Sequence, residues 1–335
     1  MSSPTAAEGA LTIGEVRTGF VRHSTEISLQ EASALLRLVP GEQVRHAGRP
    51  RPYAVSPTPL TGVDCDLPSA KGRRVRGVGT VASRVTVTGG RILQACSYTT
   101  IVPSPRGHRL PWSHYLGRPG VVEHLGRMDL DDAAAGFAED ERGVRGIELG
   151  GIAEQTMNGV QASPMLDGVL SLRAPRGAWR WAFHGGEPLF RFTVLRDGVR
   201  LVRLSVPRQC TEDLLVLVED LALHDWLLAV VENALARAAA GPGAADRMLR
   251  GVRPVVGHVL HHWMPAARVK PELLPLWEAL DRAHGLTRQW DISVGRIRDQ
   301  LAVDTVAMLL DTVTLLDGAA HGPGRGGRDG GRASG

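Results

Sequence analysis

Lysine and cysteine are both scarce in this chain of 335 residues. Only two of its 39 basic residues are lysine, and neither Lys71 nor Lys270 lies in a GxxxxGK[ST] pattern, so a phosphate-binding P-loop is excluded. The three cysteines, Cys65, Cys96 and Cys210, are far apart, which excludes a paired zinc motif and a disulfide framework. Such sparse cysteine usage is typical of a reducing compartment.

Long apolar runs and a secretion signal are also missing from the sequence. The most apolar segment, 214–231, is interrupted by four polar or charged residues, which excludes a membrane-spanning helix there. The first ten residues, MSSPTAAEGA, have neither the basic nor the apolar region of a signal peptide. We therefore expect a cytoplasmic protein without a membrane partner.

Strand patterns dominate the first two thirds of the chain. Two β-rich runs surround Gly89-Gly90, a dipeptide typical of hairpin turns because both turn positions need positive φ. A second hairpin pattern turns at Asp197-Gly198, preceded by a strand-like alternation in WRWAF at 179–183. The segment 11–21 also predicts a strand, and a capping box at Ser28 and Glu31 predicts a short helix after it.

Helical periodicity takes over after residue 207. Thr211 is a favourable N-cap with two carboxylates in the first turn behind it. Helices are predicted over 131–141, 211–239, 246–264, 271–284 and 293–317. Strands followed by helices indicate an α+β protein with a strand-rich domain over 1–207 and a helical domain over 208–317. The Gly- and Arg-rich segment 318–335 has almost nothing to bury and is predicted to be a disordered tail.

Charge is distributed unevenly between these parts. Segment 37–110 carries twelve basic and three acidic residues, whereas 208–317 carries fifteen acidic and eleven basic ones. Such an asymmetry indicates either a surface for an anionic partner or two domains that attract each other. The densest basic cluster, KGRRVR, offers Arg73, Arg74 and Arg76 as a nucleic-acid patch. Because no aromatic residues interleave with these arginines, a solvated loop is the favoured interpretation.

A histidine cluster lies in GHVLHHWMP at 257–265. On a helix, His258 and His262 would share one face, as zinc-binding pairs do, and His224 or Asp225 would complete the site. The residue after the first histidine is not the glutamate of an HExxH motif. The pattern therefore favours packed histidines over a zinc site, and a structural polar network for His224 and Asp225.

The segment 103–126 is rich in functional side chains and has little periodicity. Irregular segments of this kind, set between structured parts, are where loops carry binding sites. We predict a binding surface here, with the following residues: Arg109, Trp112, His114, Tyr115 and Arg118.

Three stretches of the chain, LTIGEVRTGF, PWSHYLGRPGVVE and LALHDWLL, resemble a family of uncharacterised proteins from high-GC actinobacteria. The resemblance covers nearly the whole chain apart from the tail. The resemblance implies no particular activity and assigns no catalytic residue. Members of that family are encoded alongside other proteins, one of them P-loop-like, which implies a component of a multi-protein system and a P-loop-type partner.

The sequence thus favours a non-enzymatic interaction or accessory subunit of a multi-protein cytoplasmic system, and it predicts no cofactor. Two alternatives stay open at this point. One is a metal-dependent hydrolase, with zinc at the helical histidine cluster. The other is a nucleic-acid-binding protein that uses the basic segment 71–76 and the tail.

Overall fold

The structure, a computed structural model, describes residues 10–139, 146–170, 172–184, 189–194, 200–205, 211–239 and 257–320. A ten-stranded mixed sheet forms the centre of this described part. Its strands are β1 (Leu11–Phe20), β2 (Arg45–Ala47), β3 (Tyr53–Val55), β4 (Leu60–Leu67), β5 (Val75–Thr88), β6 (Ile92–Pro103), β7 (Val121–Leu125), β8 (Gly177–His184), β9 (Leu189–Val194) and β10 (Arg200–Ser205). The strand order is β2-β3-β5-β7-β6-β1-β8-β10-β9, and β4 also pairs with β5.

Helices cover both faces of the sheet. They are α1 (Leu29–Leu35), α2 (Trp112–Leu116), α3 (Leu130–Glu139), α4 (Leu149–Gln161), α5 (Thr211–Ala239), α6 (Leu274–His284) and α7 (Leu286–Ala320). The strand-rich part precedes the helical part, so the predicted α+β class is confirmed. No helix of the described residues is long and apolar enough to cross a lipid bilayer.

Alternating side chains of β6 build a core on each face of the sheet. Ile92 and Cys96 pack with α5 and the helices after it. Leu93 and Ala95 pack with α1 and α4 on the opposite face. A further cluster on that opposite face joins β1 to α3. The sheet is therefore the middle layer of three, as the two-residue period of a strand requires when both faces are covered.

The β5–β6 hairpin opens to admit β7. Its turn residues Gly89 and Gly90 both have positive φ, as predicted. The pairing runs from Thr88–Ile92 as far as Ala82–Tyr98, and beyond that point β7 lies between the two strands, antiparallel to β5 and parallel to β6. A Cβ on Gly79 would lie 2.1 Å from the carbonyl oxygen of Val121, so glycine is required where β7 approaches β5.

Buried ion pairs join the basic sheet to the acidic helix α5. Arg84 is almost completely buried in β5, and its guanidinium donates to Glu219 at 2.6 Å and to Glu212 at 2.9 Å. Arg45 donates to the same oxygen of Glu212 at 2.7 Å. Some of the basic residues of the sheet are thus neutralised by acids of α5. This favours the interpretation that the basic and acidic parts attract each other. The domain boundary at residue 207 stays a prediction.

The helical half differs from its prediction in two places. Of the helix predicted over 246–264, residues 246–256 lie outside the described part and Gly257 and His258 are helical. From Val259 onward the prediction is wrong, because a 3₁₀ turn, Leu260–His262, replaces the helix. The last helix, predicted over 293–317, already begins at Leu286, directly after the left-handed cap Gly285, and runs to Ala320. Residues 321–335 lie outside the described part.

Candidate interaction surface

His224, one of the candidate metal ligands, is buried where α5 meets the segment before α6. Its Nδ1 donates to the carbonyl oxygen of Asp220 at 2.7 Å, and the amide of Met264 donates to its Nε2 at 3.2 Å. Trp263 and Trp277 both meet the ring edge-on. Because both ring nitrogens have protein partners, His224 serves the packing of the core and has no position left for a metal.

Asp220 is the acceptor that organises this part of the core. Its Oδ2 accepts from the amide of Ala266 at 2.8 Å and from Trp277 Nε1 at 2.9 Å. Burial disfavours the charged form of His224, but the neighbouring Asp220 carboxylate outweighs burial and raises the pKa of the imidazole. Asp220 therefore ties α5, the turn around residue 266 and α6 together.

Asp225 lies on α5 and faces the sheet. It accepts from Trp179 Nε1 at 3.2 Å and from Arg200 Nε at 3.3 Å. These bonds join α5 to β8 and β10, so Asp225 has a structural part in the contact between helix and sheet.

Contrary to the prediction, His258 and His262 do not share a helix face, because the α-helix ends at His258 and His262 lies in the 3₁₀ turn that follows. The His262 ring is buried against the hairpin turn, where a Cβ on Gly89 would lie 2.2 Å from Nε2. Burial, together with the nearby charges of His261 and Arg51, lowers the pKa of His262 to about 4. Within the described ranges, no three His, Cys, Asp or Glu side chains are grouped as metal ligands.

A cleft of about 430 Å³ lies beside the Gly89-Gly90 hairpin turn. No pattern in the sequence predicts it. Glu26, Glu31, Arg51 and His261 contribute to its walls. Glu26 accepts from Arg91 at 2.9 Å, and Arg51 donates to the carbonyl oxygen of His261 at 2.9 Å. Arg91, the amide of Ser28 and the His261 carbonyl already engage Glu26, Glu31 and Arg51. The cleft therefore has the size of a ligand site, but its charged side chains do not indicate a particular ligand.

The predicted binding residues of segment 103–126 do come together, beside strands β4 and β5. Trp112 is 37% exposed, and its ring lies over Gly62, where a Cβ would be 3.2 Å away. The Arg109 guanidinium lies 5.6 Å from the Trp112 ring centroid, within the range of a cation–π contact. An aromatic side chain and a cation are therefore presented side by side.

Asp64 of β4 fixes two of the arginines at this surface. Arg76 donates to both of its carboxylate oxygens, at 2.6 and 2.8 Å, and Arg109 Nε donates at 3.1 Å. The hydrogen bond from Arg76 is the main reason that the pKa of Asp64 lies below its ordinary value. The two-point contact sets the plane of the Arg76 guanidinium, which a single bond would leave free to rotate.

Glu123 of β7 holds the other side of the surface. Its carboxylate is completely buried, and Oε1 accepts from Arg118 and lies 2.7 Å from His114 Nε2. The side chains of Arg118 and His114 stay 41% and 31% exposed. A buried acid thus positions two groups that still face solvent. Neither Asp64 nor Glu123 was among the predicted site residues.

Tyr115 is the predicted residue that the structure removes from the surface. It is 1% exposed, and its hydroxyl accepts the amide of Leu110 at 3.0 Å. Tyr115 therefore anchors α2 from below. Arg73 and Arg74 are exposed on the loop that leads into β5 and adjoin Arg76 along the chain. We call Arg76, Arg109, Trp112, His114 and Arg118 the Trp112 face.

No protein-family profile, no curated protein and no solved structure matches this chain. The actinobacterial resemblance thus stays a prediction, and functional inference has to start from the geometry of the chain itself.

Proposed function

We propose that this protein is a non-enzymatic interaction subunit of a multi-protein system in the cytoplasm, and that it docks through the Trp112 face. The observation that carries the proposal is the half-exposed Trp112, flanked by cations that two acids, Asp64 and Glu123, hold in place from the sheet below.

Residue type and rigidity both support this proposal. Tryptophan and arginine are the residue types most enriched at the energetic centre of protein interfaces. Ordering a long side chain on binding costs about 0.5–1.5 kcal/mol, and part of that cost is already met when an arginine is held beforehand. Arg76, Arg109 and Arg118 are all held by carboxylates in the free chain.

The chemistry of the face also indicates the partner. A cationic rim around an aromatic ring complements an acidic protein surface with an apolar pocket that accepts the indole. The resemblance to the actinobacterial family adds a finer expectation, that the partner is a P-loop-type protein.

The alternative of a metal-dependent hydrolase receives no support from the described geometry. His224 and Asp225 are engaged in the core and at the sheet, and His262 lies against the hairpin turn. The nucleic-acid alternative depends on Arg73, Arg74 and Arg76. Of these, Arg76 is paired with Asp64.

The proposal is tested by purifying the tagged full chain from its native host at moderate salt with added nuclease, as wild type and as Trp112→Ala. Met165→Ala is the matched control, because Met165 is a comparably exposed apolar residue in the segment after α4. We expect a stoichiometric protein partner with wild type and control and its loss with Trp112→Ala. A wild-type chain without a partner, or a partner retained by Trp112→Ala, would contradict the proposal.

A further inference from the structure

The long helix α7 has two unlike halves. In the first half Leu286, Trp290 and Ile297 are buried in the core, and Leu301 is the last of the helix's described side chains that packs against it. In the second half six of the described apolar side chains are 55–65% exposed. They form one stripe, the α7 stripe: Val303, Val306, Leu309, Leu310, Val313 and Leu316. Exposed apolar patches of this kind mark association sites.

The residue spacing of the α7 stripe is the same from the N-terminal end as from the C-terminal end. Steps of three residues lead from Val303 to Leu309 and from Leu310 to Leu316, so the pattern is symmetric about the midpoint between Leu309 and Leu310. An isologous contact places the same patch of both subunits around a two-fold axis. With that axis at the midpoint, Val303 faces Leu316 and Val306 faces Val313 of an antiparallel second copy.

We propose that the occupant of the α7 stripe is a second copy of this chain, with the two α7 helices antiparallel. The charges of the segment favour this direction. Between residues 302 and 320 the charged residues are Asp304, Asp311 and Asp317. By helical spacing only Asp317, seven residues after Leu310, falls on the side of the stripe. A parallel pair in register would bring Asp317 of one copy against Asp317 of the other, where like charges repel.

The antiparallel register separates the two Asp317 residues. It aligns Asp317 of one copy with Ala302 of the other, about one helical turn from the exposed Arg298. The end of each helix thus approaches Arg296 and Arg298 of the other copy.

The length of the free half sets the strength of the contact. From residue 303 to 320 the helix extends about 27 Å at 1.5 Å per residue. In the antiparallel pair, the C-terminal end of each helix therefore lies beside the position at which the other helix emerges from the hydrophobic core of its own chain. Two helices of this length bury less than the roughly 800 Å² per partner of a standard interface. We therefore expect a reversible dimer that dissociates in the micromolar range.

This dimer does not depend on the proposed function, because the α7 stripe and the Trp112 face share no residue. Its test is sedimentation velocity of the full chain from about 1 to 200 µM, a range that brackets weak interfaces. We expect a concentration-dependent dimer for wild type and a monomer for Leu309→Lys/Leu310→Lys. The matched control, Thr305→Lys/Thr312→Lys, adds the same charge at exposed positions beside the stripe and keeps the dimer.

Far-ultraviolet circular dichroism of all three proteins checks that the helix persists, which we expect because every substituted side chain is exposed. A wild-type chain that stays monomeric at the highest concentration overturns the proposal. A dimer that survives Leu309→Lys/Leu310→Lys overturns it as well, because the contact would then lie elsewhere.

Direction is tested by disulfide trapping in a chain that also carries Cys65→Ser and Cys210→Ser. Differently tagged chains with Val306→Cys and Val313→Cys are mixed and oxidised gently. The antiparallel register predicts a mixed disulfide between the two tags, since these positions face each other across the axis. Faster linkage of two Val306→Cys chains to one another would show a parallel pair and overturn the antiparallel arrangement.

Discussion

Two stretches of this chain have a similar composition and end in opposite environments. Segments 257–290 and 103–126 both concentrate histidine, tryptophan and arginine. In the first, Trp277 is buried and Trp263 stacks on Trp290 at a centroid distance of 4.1 Å. In the second, Trp112 stays half-exposed on top of strands. The same residue types build core in one place and surface in the other.

The acids account for the difference. Asp220 accepts from a backbone amide and an indole, so the groups it binds are removed from water with it. Glu123 is equally buried, but it binds Arg118 and His114, whose outer parts remain in solvent. An acid beneath donors that are themselves buried stabilises the fold. An acid beneath half-exposed side chains holds them in place at the surface, where we propose that a partner binds.

The largest effect in this comparison is expected from Trp277→Ala. Removing a buried tryptophan leaves a cavity and costs about 3–5 kcal/mol of the free energy of unfolding. Urea denaturation followed by circular dichroism measures the loss. A loss below about 1 kcal/mol would show that the region around Asp220 is not a packed core. It would contradict the contrast between this region and the Trp112 face.

Asp220→Ala is expected to lower the free energy of unfolding by about 3 kcal/mol, because it leaves the buried donors of Trp277 and Ala266 without an acceptor. The matched control is Asp213→Ala on the same helix, whose partner Lys270 is exposed. That control should change stability by less than about 1 kcal/mol. Equal losses in the two variants would contradict the special role of Asp220.

The pH dependence of stability is expected to report His262. Its pKa of about 4 in the folded chain lies below the ordinary value of 6.5, so the unfolded chain binds more protons between these values. Stability is therefore fully present above pH 6.5 and falls as the pH drops toward 4, by roughly 3 kcal/mol. Denaturation curves at several pH values measure it. In His262→Gln this part of the slope should disappear, and an unchanged slope would contradict the assignment.

Glu123→Ala is expected to have a small effect on stability and a larger one on binding. The freed side chains of Arg118 and His114 can turn to solvent, so the free energy of unfolding should fall by only about 1 kcal/mol. Affinity for the copurified partner should fall about tenfold or more, because both side chains lose their fixed positions. A stability loss as large as that of Asp220→Ala, with binding intact, would erase the distinction between the two acids.

Local patterns in the sequence were sufficient for much of the fold. The capping box of Ser28 and Glu31 is present with both hydrogen bonds, and α5 begins at Thr211 as its cap predicts. The Gly89-Gly90 turn and the pairing of β9 with β10 also follow from short-range signals. Each of these depends on residues close together in the chain.

Features that depend on distant contacts were not predictable in this way. The insertion of β7 requires β5 and β6 to separate, which only the fold decides. The location of the Trp112 face was predicted, but its supports Asp64 and Glu123 were not, because their partners come from other strands or turns. An acid within the apolar run GVVEHLG was the available signal, since a buried carboxylate needs a partner.

The most direct test of the account is to measure stability and partner affinity together in Trp112→Ala. We predict that the free energy of unfolding changes by less than about 1 kcal/mol, while affinity for the copurified partner falls by at least about 30-fold, as for a central interface residue. Unchanged affinity would contradict the account. A loss of stability comparable to that of Trp277→Ala would contradict it equally, because Trp112 would then belong to the core.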